Sequence, residues 1–259
     1  MDGPLFDRLH FSRKKGVLMI DKTTEYRKVT GPAHTLMTHP RNDKIHFSRK
    51  KKTFVVGKRT YRGLTHVLAR RFPMPASHRK NAGGNVIKTL CQGLSPLAHG
   101  QLVDSQVRSF VSRKRRKNLD PCTQRFVRIL KSKGWIPLRA QLPIFSQDTR
   151  VATAIDLLCV NLRTDELILV ELKVTNHHTP TGYEAATGHL PGFGDRKIPA
   201  SYMNHDMLQL AGMAIMLRKE YDVDVANAFL IRVGHGIVWL YKLPQWTREC
   251  AETIYSKLK

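Results

Sequence analysis

Residues 154–174 read AIDLLCVNLRTDELILVELKV, and three charged side chains, Asp156, Glu171 and Lys173, interrupt an otherwise apolar run. A charge in a half-buried strand is costly unless it is paired or bound to something. A hairpin turn centred between Arg163 and Thr164 sets Asp156 opposite Glu171, with Cβ atoms about 5 Å apart. Lys173 lies two residues beyond Glu171 and shares its face, while Val170, Leu172 and Val174 point to the core. Two carboxylates that close repel each other. A divalent cation between them removes the repulsion, and oxygen ligands suit Mg²⁺ or Mn²⁺. Such a metal activates water and stabilises charge on a phosphate. A neighbouring lysine orients the water or neutralises the developing charge. The competing reading is an ordinary solvated cross-strand group on a sheet face. The apolar surroundings and the charge of the rest of the chain favour the metal site.

That charge is large. The 259 residues carry 44 Lys+Arg against 20 Asp+Glu, a formal net charge of +24. An anionic partner follows, above all nucleic acid. Residues 1–120 hold 27 Lys+Arg and 7 Asp+Glu, whereas residues 121–259 hold 17 and 13. The front half is basic and the back half nearly neutral. Cys91, Cys122, Cys159 and Cys250 form no CxxC pair, which argues against a disulfide framework, a zinc ribbon or an iron–sulfur cluster. Free thiols imply a reducing, intracellular compartment. No stretch approaches the roughly 18 apolar residues of a membrane span. The first 25 residues include Asp2, Asp7, Asp21 and Glu25, unlike an acid-poor transit peptide.

The elements that must position the charged group are legible from about residue 94. Ser95 can cap a helix with Pro96 at its first position, and Leu102, Val103, Val107, Phe110 and Val111 follow at helical spacing. A second amphipathic helix over 121–135 ends at Gly134, and a strand occupies 136–145. The charged hairpin is next, then a long Gly/Pro/His-rich loop over 176–200. A helix over 201–221 and a last hairpin over 228–243 complete the pattern. The order is α, α, β, β, β, α, β, β, which predicts an α/β or α+β core with a mixed sheet flanked by helices. Residues 71–85, RFPMPASHRKNAGGN, read as a linker. The expected division is a basic N-terminal extension over 1–90 and a catalytic core over 91–259.

The set Asp156, Glu171-x-Lys173 on a strand pair resembles the PD-(D/E)XK nuclease superfamily. The order LAHGQLVD, ATAIDLL, LILVELKVT, HDMLQLAGMAIML and a closing hairpin looks like its RecB-like branch, over about residues 94–243. The resemblance implies a restriction-endonuclease-like core and phosphodiester hydrolysis with Mg²⁺ or Mn²⁺. It implies Asp156 and Glu171 as metal ligands, Lys173 as the catalytic lysine, and His99 as the histidine that completes the metal site. Gln209 matches the helix glutamine that faces the site or the strand being cut. Met213 stands where the branch often has tyrosine. Asp104, five residues after His99, is the acidic residue available in the first helix.

Outside this core, DRLHFSRKK at 7–15 recurs as DKIHFSRKK at 43–51, with seven identities in nine positions. A duplicated basic–aromatic element could stack Phe11 or Phe47 on a base and offer Arg49, Lys50 and Lys51 to phosphate; the alternative is a solvated basic turn. Arg113, Lys114, Arg115, Arg116 and Lys117 form either a nuclear-import signal or a phosphate clamp. Tyr202 and His205 are candidate substrate contacts. His177, His178 and His189 lack the short fixed spacing of a zinc site. Three functions are expected from this reading. The first is a DNA exonuclease acting on single strands or ends in recombination, repair or genome processing, alongside other recombination or replication proteins. The second is a structure-specific endonuclease of the resolvase or transposase kind. The third is a nucleic-acid-binding protein that keeps the fold without catalysis.

Overall fold

The computed structural model describes residues 9–12, 15, 17–20, 24–48, 53–74, 94–112, 118–175, 181–186, 188–225, 227–234 and 236–259. Strands β1 (Leu9–Ser12), β2 (Val17–Ile20) and β3 (Thr24–Lys28) make a small antiparallel sheet. Helix α1 (Gly31–Thr38) and a 3-10 turn lead to β4 (Ile45–Ser48), β5 (Thr53–Val56) and β6 (Arg59–Gly63), followed by helix α2 (Leu64–Arg71). Then come α3 (Pro96–Val111), α4 (Pro121–Lys133), β7 (Trp135–Ser146), β8 (Val151–Asn161) and β9 (Leu167–Thr175). A one-turn helix α5 (Thr181–Glu184), the long α6 (Tyr202–Tyr221), β10 (Asn227–Gly234), β11 (Val238–Lys242), α7 (Gln245–Glu249) and α8 (Ala251–Leu258) complete the chain.

The main sheet is mixed, in the order β11-β10-β9-β8-β6-β5-β4, and β7 pairs with β8 as well. Helices flank it, so the fold is of the mixed α/β class. Local chemistry fixes where the helices begin and end. Ser95 caps α3 by accepting from the Ala98 N–H at 3.2 Å. Asp120 caps α4 by accepting from Cys122 N–H at 2.8 Å. Gly134 ends α4 in the left-handed conformation, at φ 67°, where glycine lacks the Cβ that makes it costly. Ser201 caps α6 through Asn204 N–H at 3.1 Å. α6 is buried around most of its circumference, from Met207 through Met213 to Leu217, as a crossover between the parallel strands β9 and β10 must be.

Of the linker expected over 71–85, Arg71 closes α2 and Phe72 is buried in the core; residues 75–85 and the boundary near residue 90 lie outside the described residues. Among the segments before them, β4, β5 and β6 lie in the main sheet and α2 in its core, whereas β1, β2 and β3 form their own sheet. β6 pairs parallel with β8 through Arg62 and Gly63. Leu64, Val67, Leu68 and Phe72 join the core cluster that holds Leu157, Val170 and Met213. Gly212 makes room for this docking, because a Cβ there would sit 3.1 Å from Leu64 Cδ1. The LHFS and IHFS portions of the sequence repeat each form a strand, β1 and β4, in different sheets.

The feature that builds the site is a fork in the sheet. Along one edge β8 pairs with β7 from end to end. Along the other, Leu157–Val160 pair with β9, and Val151 and Ala152 pair with β6. Between these two stretches β8 and β9 part, and Asp156 stands at the fork.

Candidate active site

The β8–β9 ladder pairs Leu157 with Val170 and Val160 with Leu167. That register, carried one residue further, sets Asp156 across from Glu171. The backbone ladder stops there and the Asp156 carboxylate takes its place. Its Oδ2 accepts from Leu172 N–H at 2.9 Å and its Oδ1 from Gln141 Nε2 at 2.9 Å. Gln141 belongs to β7 yet adopts a left-handed φ of 52°. A non-glycine residue held there stores strain, and such strain gathers at functional sites.

Glu171 is 2% exposed. Its Oε1 accepts from Lys173 Nζ and from Gln209 Nε2, each at 2.7 Å. Lys173 Nζ also donates to Gln209 Oε1 at 3.2 Å and lies 3.5 Å from Asp206 Oδ1. Asp206 Oδ2 in turn accepts from Tyr183 O–H at 2.7 Å. The helix α6 therefore supplies two side chains, Asp206 and Gln209, to the charged pair on β9. The second oxygen of Glu171, Oε2, is buried and has no hydrogen-bond partner among the described residues. An unsatisfied carboxylate oxygen in a dry place is costly, and either a proton or a cation could complete it.

The electrostatics agree. Burial, then the neighbouring Asp156 charge, push the Glu171 carboxyl up to about 8 despite Lys173. Burial also raises Asp156, against the pull of Lys173 and its hydrogen bonds. Asp104 of α3 is raised to about 6 by burial and by Asp156. Asp104, Gln141, Asp156 and Leu172 line one small cleft with Val107 and Phe126. Burial works to discharge Lys173, but Glu171, Asp206 and Asp156 outweigh it and raise its pKa above the ordinary value. The ammonium stays charged. Asp104 and Asp156 line that cleft and Glu171 stands across from Asp156; burial raises all three carboxyls, and their oxygens are hard ligands of the kind that suit Mg²⁺ or Mn²⁺.

Among the expected residues, Asp156, Glu171, Lys173 and Gln209 come together in one bonded group. His99 goes elsewhere. It is 5% exposed, and its Nε2 lies 3.1 Å from Asp120 Oδ2. The α3 residue whose charge couples to Asp156 is Asp104. The ligand atoms of His99, Asp120 and Cys122 lie within 4.8 Å of one another, and all three residues are buried. This second group could hold a metal ion. Tyr202 is exposed at the start of α6. Arg49, Lys50, Lys51 and Arg113 to Lys117 lie outside the described residues.

Sequence reasoning missed Asp206, Gln141, Tyr183 and Arg232 as members of this neighbourhood. Asp206 was within reach, since it precedes Gln209 by one helical turn and shares its face. Gln141 gave no signal, because its role depends on a backbone twist that no spacing encodes.

No protein-family model matches the chain, and no curated protein matches it. Among solved structures it is similar to the crystal structure of SSO0001, at 9% identity over 74% of this chain and 84% of that one, with a TM-score of 0.29. A likeness at that level carries no argument about fold or function.

Proposed function

We propose that this chain is a metal-dependent nuclease that hydrolyses phosphodiester bonds in DNA, acting on single strands or strand ends. The observation that carries the proposal is the buried, unpartnered Oε2 of Glu171 beside Asp156, with Lys173 locked onto the same carboxylate. Asp156 and Glu171 would hold Mg²⁺ or Mn²⁺. A metal bound there supplies a Lewis acid for a phosphate oxygen and a water acidified enough to attack. Gln141 and the Leu172 N–H fix the Asp156 carboxylate in one orientation. Gln209 does the same for Glu171 and also receives Lys173. The Lys173 ammonium, held charged by its neighbours Glu171, Asp206 and Asp156, would orient the attacking oxygen and offset negative charge growing on the phosphoryl oxygens.

The formal charge of +24 supports a polyanionic substrate. Recombination, repair or genome processing is the setting we propose, with the SRKRRK run as a nuclear address. The test is cleavage of labelled linear single-stranded, linear duplex and closed-circular DNA in Mg²⁺, Mn²⁺ or chelator. Degraded ends with intact circles support the exonuclease reading. Nicked circles replace it with an endonuclease. Binding without cutting in any metal leaves a DNA-binding protein.

A further inference from the structure

Beside Lys173, one strand further out, stands a buried arginine that the proposed chemistry does not use. The ladders pair Lys173 with Arg232 and Arg232 with Trp239. Residues in register on neighbouring strands project from one face, at a strand spacing of about 4.8 Å. A row of cation, cation and indole thus runs from the candidate active site to the edge strand β11.

Arg232 is 3% exposed. Its Nη2 donates to Thr175 Oγ1 at 2.5 Å. Its Nη1 is buried with no partner among the described residues. The guanidinium carbon lies 4.0 Å from the centroid of the Tyr183 ring and 5.0 Å from that of Trp239. Two carboxylates are close enough to act on it electrostatically, Asp206 and Glu184, yet each bonds a phenol instead. Asp206 takes the Tyr183 hydroxyl at 2.7 Å and Glu184 the Tyr241 hydroxyl at 2.8 Å. A buried guanidinium with an open donor is costly to keep. Aromatic rings steady its charge but give Nη1 no acceptor.

We propose that Arg232 binds the backbone phosphate next to the scissile one, with Trp239 stacking the attached base. The proposal rests on the nuclease reading of Asp156, Glu171 and Lys173. The planar fork of arginine matches a phosphate, and its free donor is the one such a ligand would take. Trp239 and Tyr241 stand two residues apart on β11, both half-buried, and aromatic rings are the groups on which unpaired bases stack. The occupant is therefore a single strand running across β9, β10 and β11.

The experiment measures binding of a labelled single-stranded DNA oligonucleotide by fluorescence anisotropy, in chelator. Each backbone phosphate is neutralised in turn as a methylphosphonate. Wild type is compared with Arg232→Lys and Arg232→Met, whose folding is checked by thermal melting and Trp fluorescence. The expected result is one position at which neutralisation weakens wild-type binding about tenfold or more, the scale of a charge-assisted hydrogen bond. That loss disappears in Arg232→Met and shrinks in Arg232→Lys, which keeps the charge without the fork. A purely structural arginine would instead weaken binding at every position alike, and that result overturns the proposal. Cleavage of the same oligonucleotides in Mg²⁺ is read separately. Cutting without the Arg232-dependent position leaves the nuclease reading standing and removes this site. The position without cutting does the reverse. No binding by wild type removes both.

Discussion

At the scale of single residues, the site holds negative charge in a place that resists it. Glu171 shows the consequence. Its carboxyl is raised from an ordinary 4.5 to about 8 by burial and Asp156. The folded state therefore favours the protonated form. In chelator its contribution to stability is complete below pH 4.5 and is lost as pH rises through about 8. The metal-free protein should melt at progressively lower temperature across that window, and Mn²⁺ should restore the melting temperature most at the alkaline end. Glu171→Gln should flatten both responses and melt higher than wild type in chelator, since a neutral amide replaces a buried anion. A wild-type melting temperature that rises with pH would contradict this reading of Glu171. Gln209→Ala removes the group that orients both Glu171 and Lys173. It should lower kcat about tenfold while leaving DNA affinity within about twofold, a loss confined to the transition state.

At the scale of elements, the fork between β8 and β9 does the positioning. The hairpin and its register were legible because the apolar alternation and the short turn constrain pairing strongly. The Gly134 terminus and the helix over 202–221 were legible for similar reasons, from turn chemistry and helical spacing. The run FVVGKRTYRGLTHVLARRF from Phe54 reads as a short strand leading into a helix, as β5, β6 and α2 bear out, but β4 and the three-strand pairing of β4, β5 and β6 were not legible. They are four or five residues long and half-exposed, so they lack the clean alternation that marks a strand. Nor could the sequence show that His99 would bond Asp120, which depends on how α3 and α4 cross. Docking of α2 against α6 carries its own prediction. Gly212→Ala brings a Cβ to 3.1 Å from Leu64, in contact with a packed core. Stability should fall by about 1–3 kcal/mol, measured by urea unfolding, and combined with Leu64→Ala the total loss should be smaller than the sum of the two separate losses. Additive effects of the two changes would argue against that contact.

At the scale of the whole molecule, charge is divided between a basic front half and a nearly neutral back half that carries Asp156, Glu171 and Lys173. The front half is not a mere appendage. β6 extends the main sheet and α2 fills its core, so deleting residues 1–90 should unfold the protein rather than only weaken its grip on DNA. Circular dichroism of the truncated chain tests this; a cooperative, native-like melt would contradict it. Phosphate contacts release counterions, so affinity should fall steeply with salt, by about 10³-fold or more between 50 and 200 mM if six or more phosphates are held. A flat salt response would remove the basic half from substrate binding. Among the described residues no helix is long and apolar enough to cross a membrane.

The proposed roles of Asp156, Glu171 and Lys173 in nucleic-acid cleavage are tested by a time course of labelled linear single-stranded DNA with Mg²⁺, Mn²⁺ or chelator, wild type beside Lys173→Ala. Degradation should require the metal and fall at least about 100-fold in Lys173→Ala, with binding nearly unchanged in that variant. Wild type that cuts nothing in either metal, or Lys173→Ala that cuts as fast as wild type, would contradict these roles.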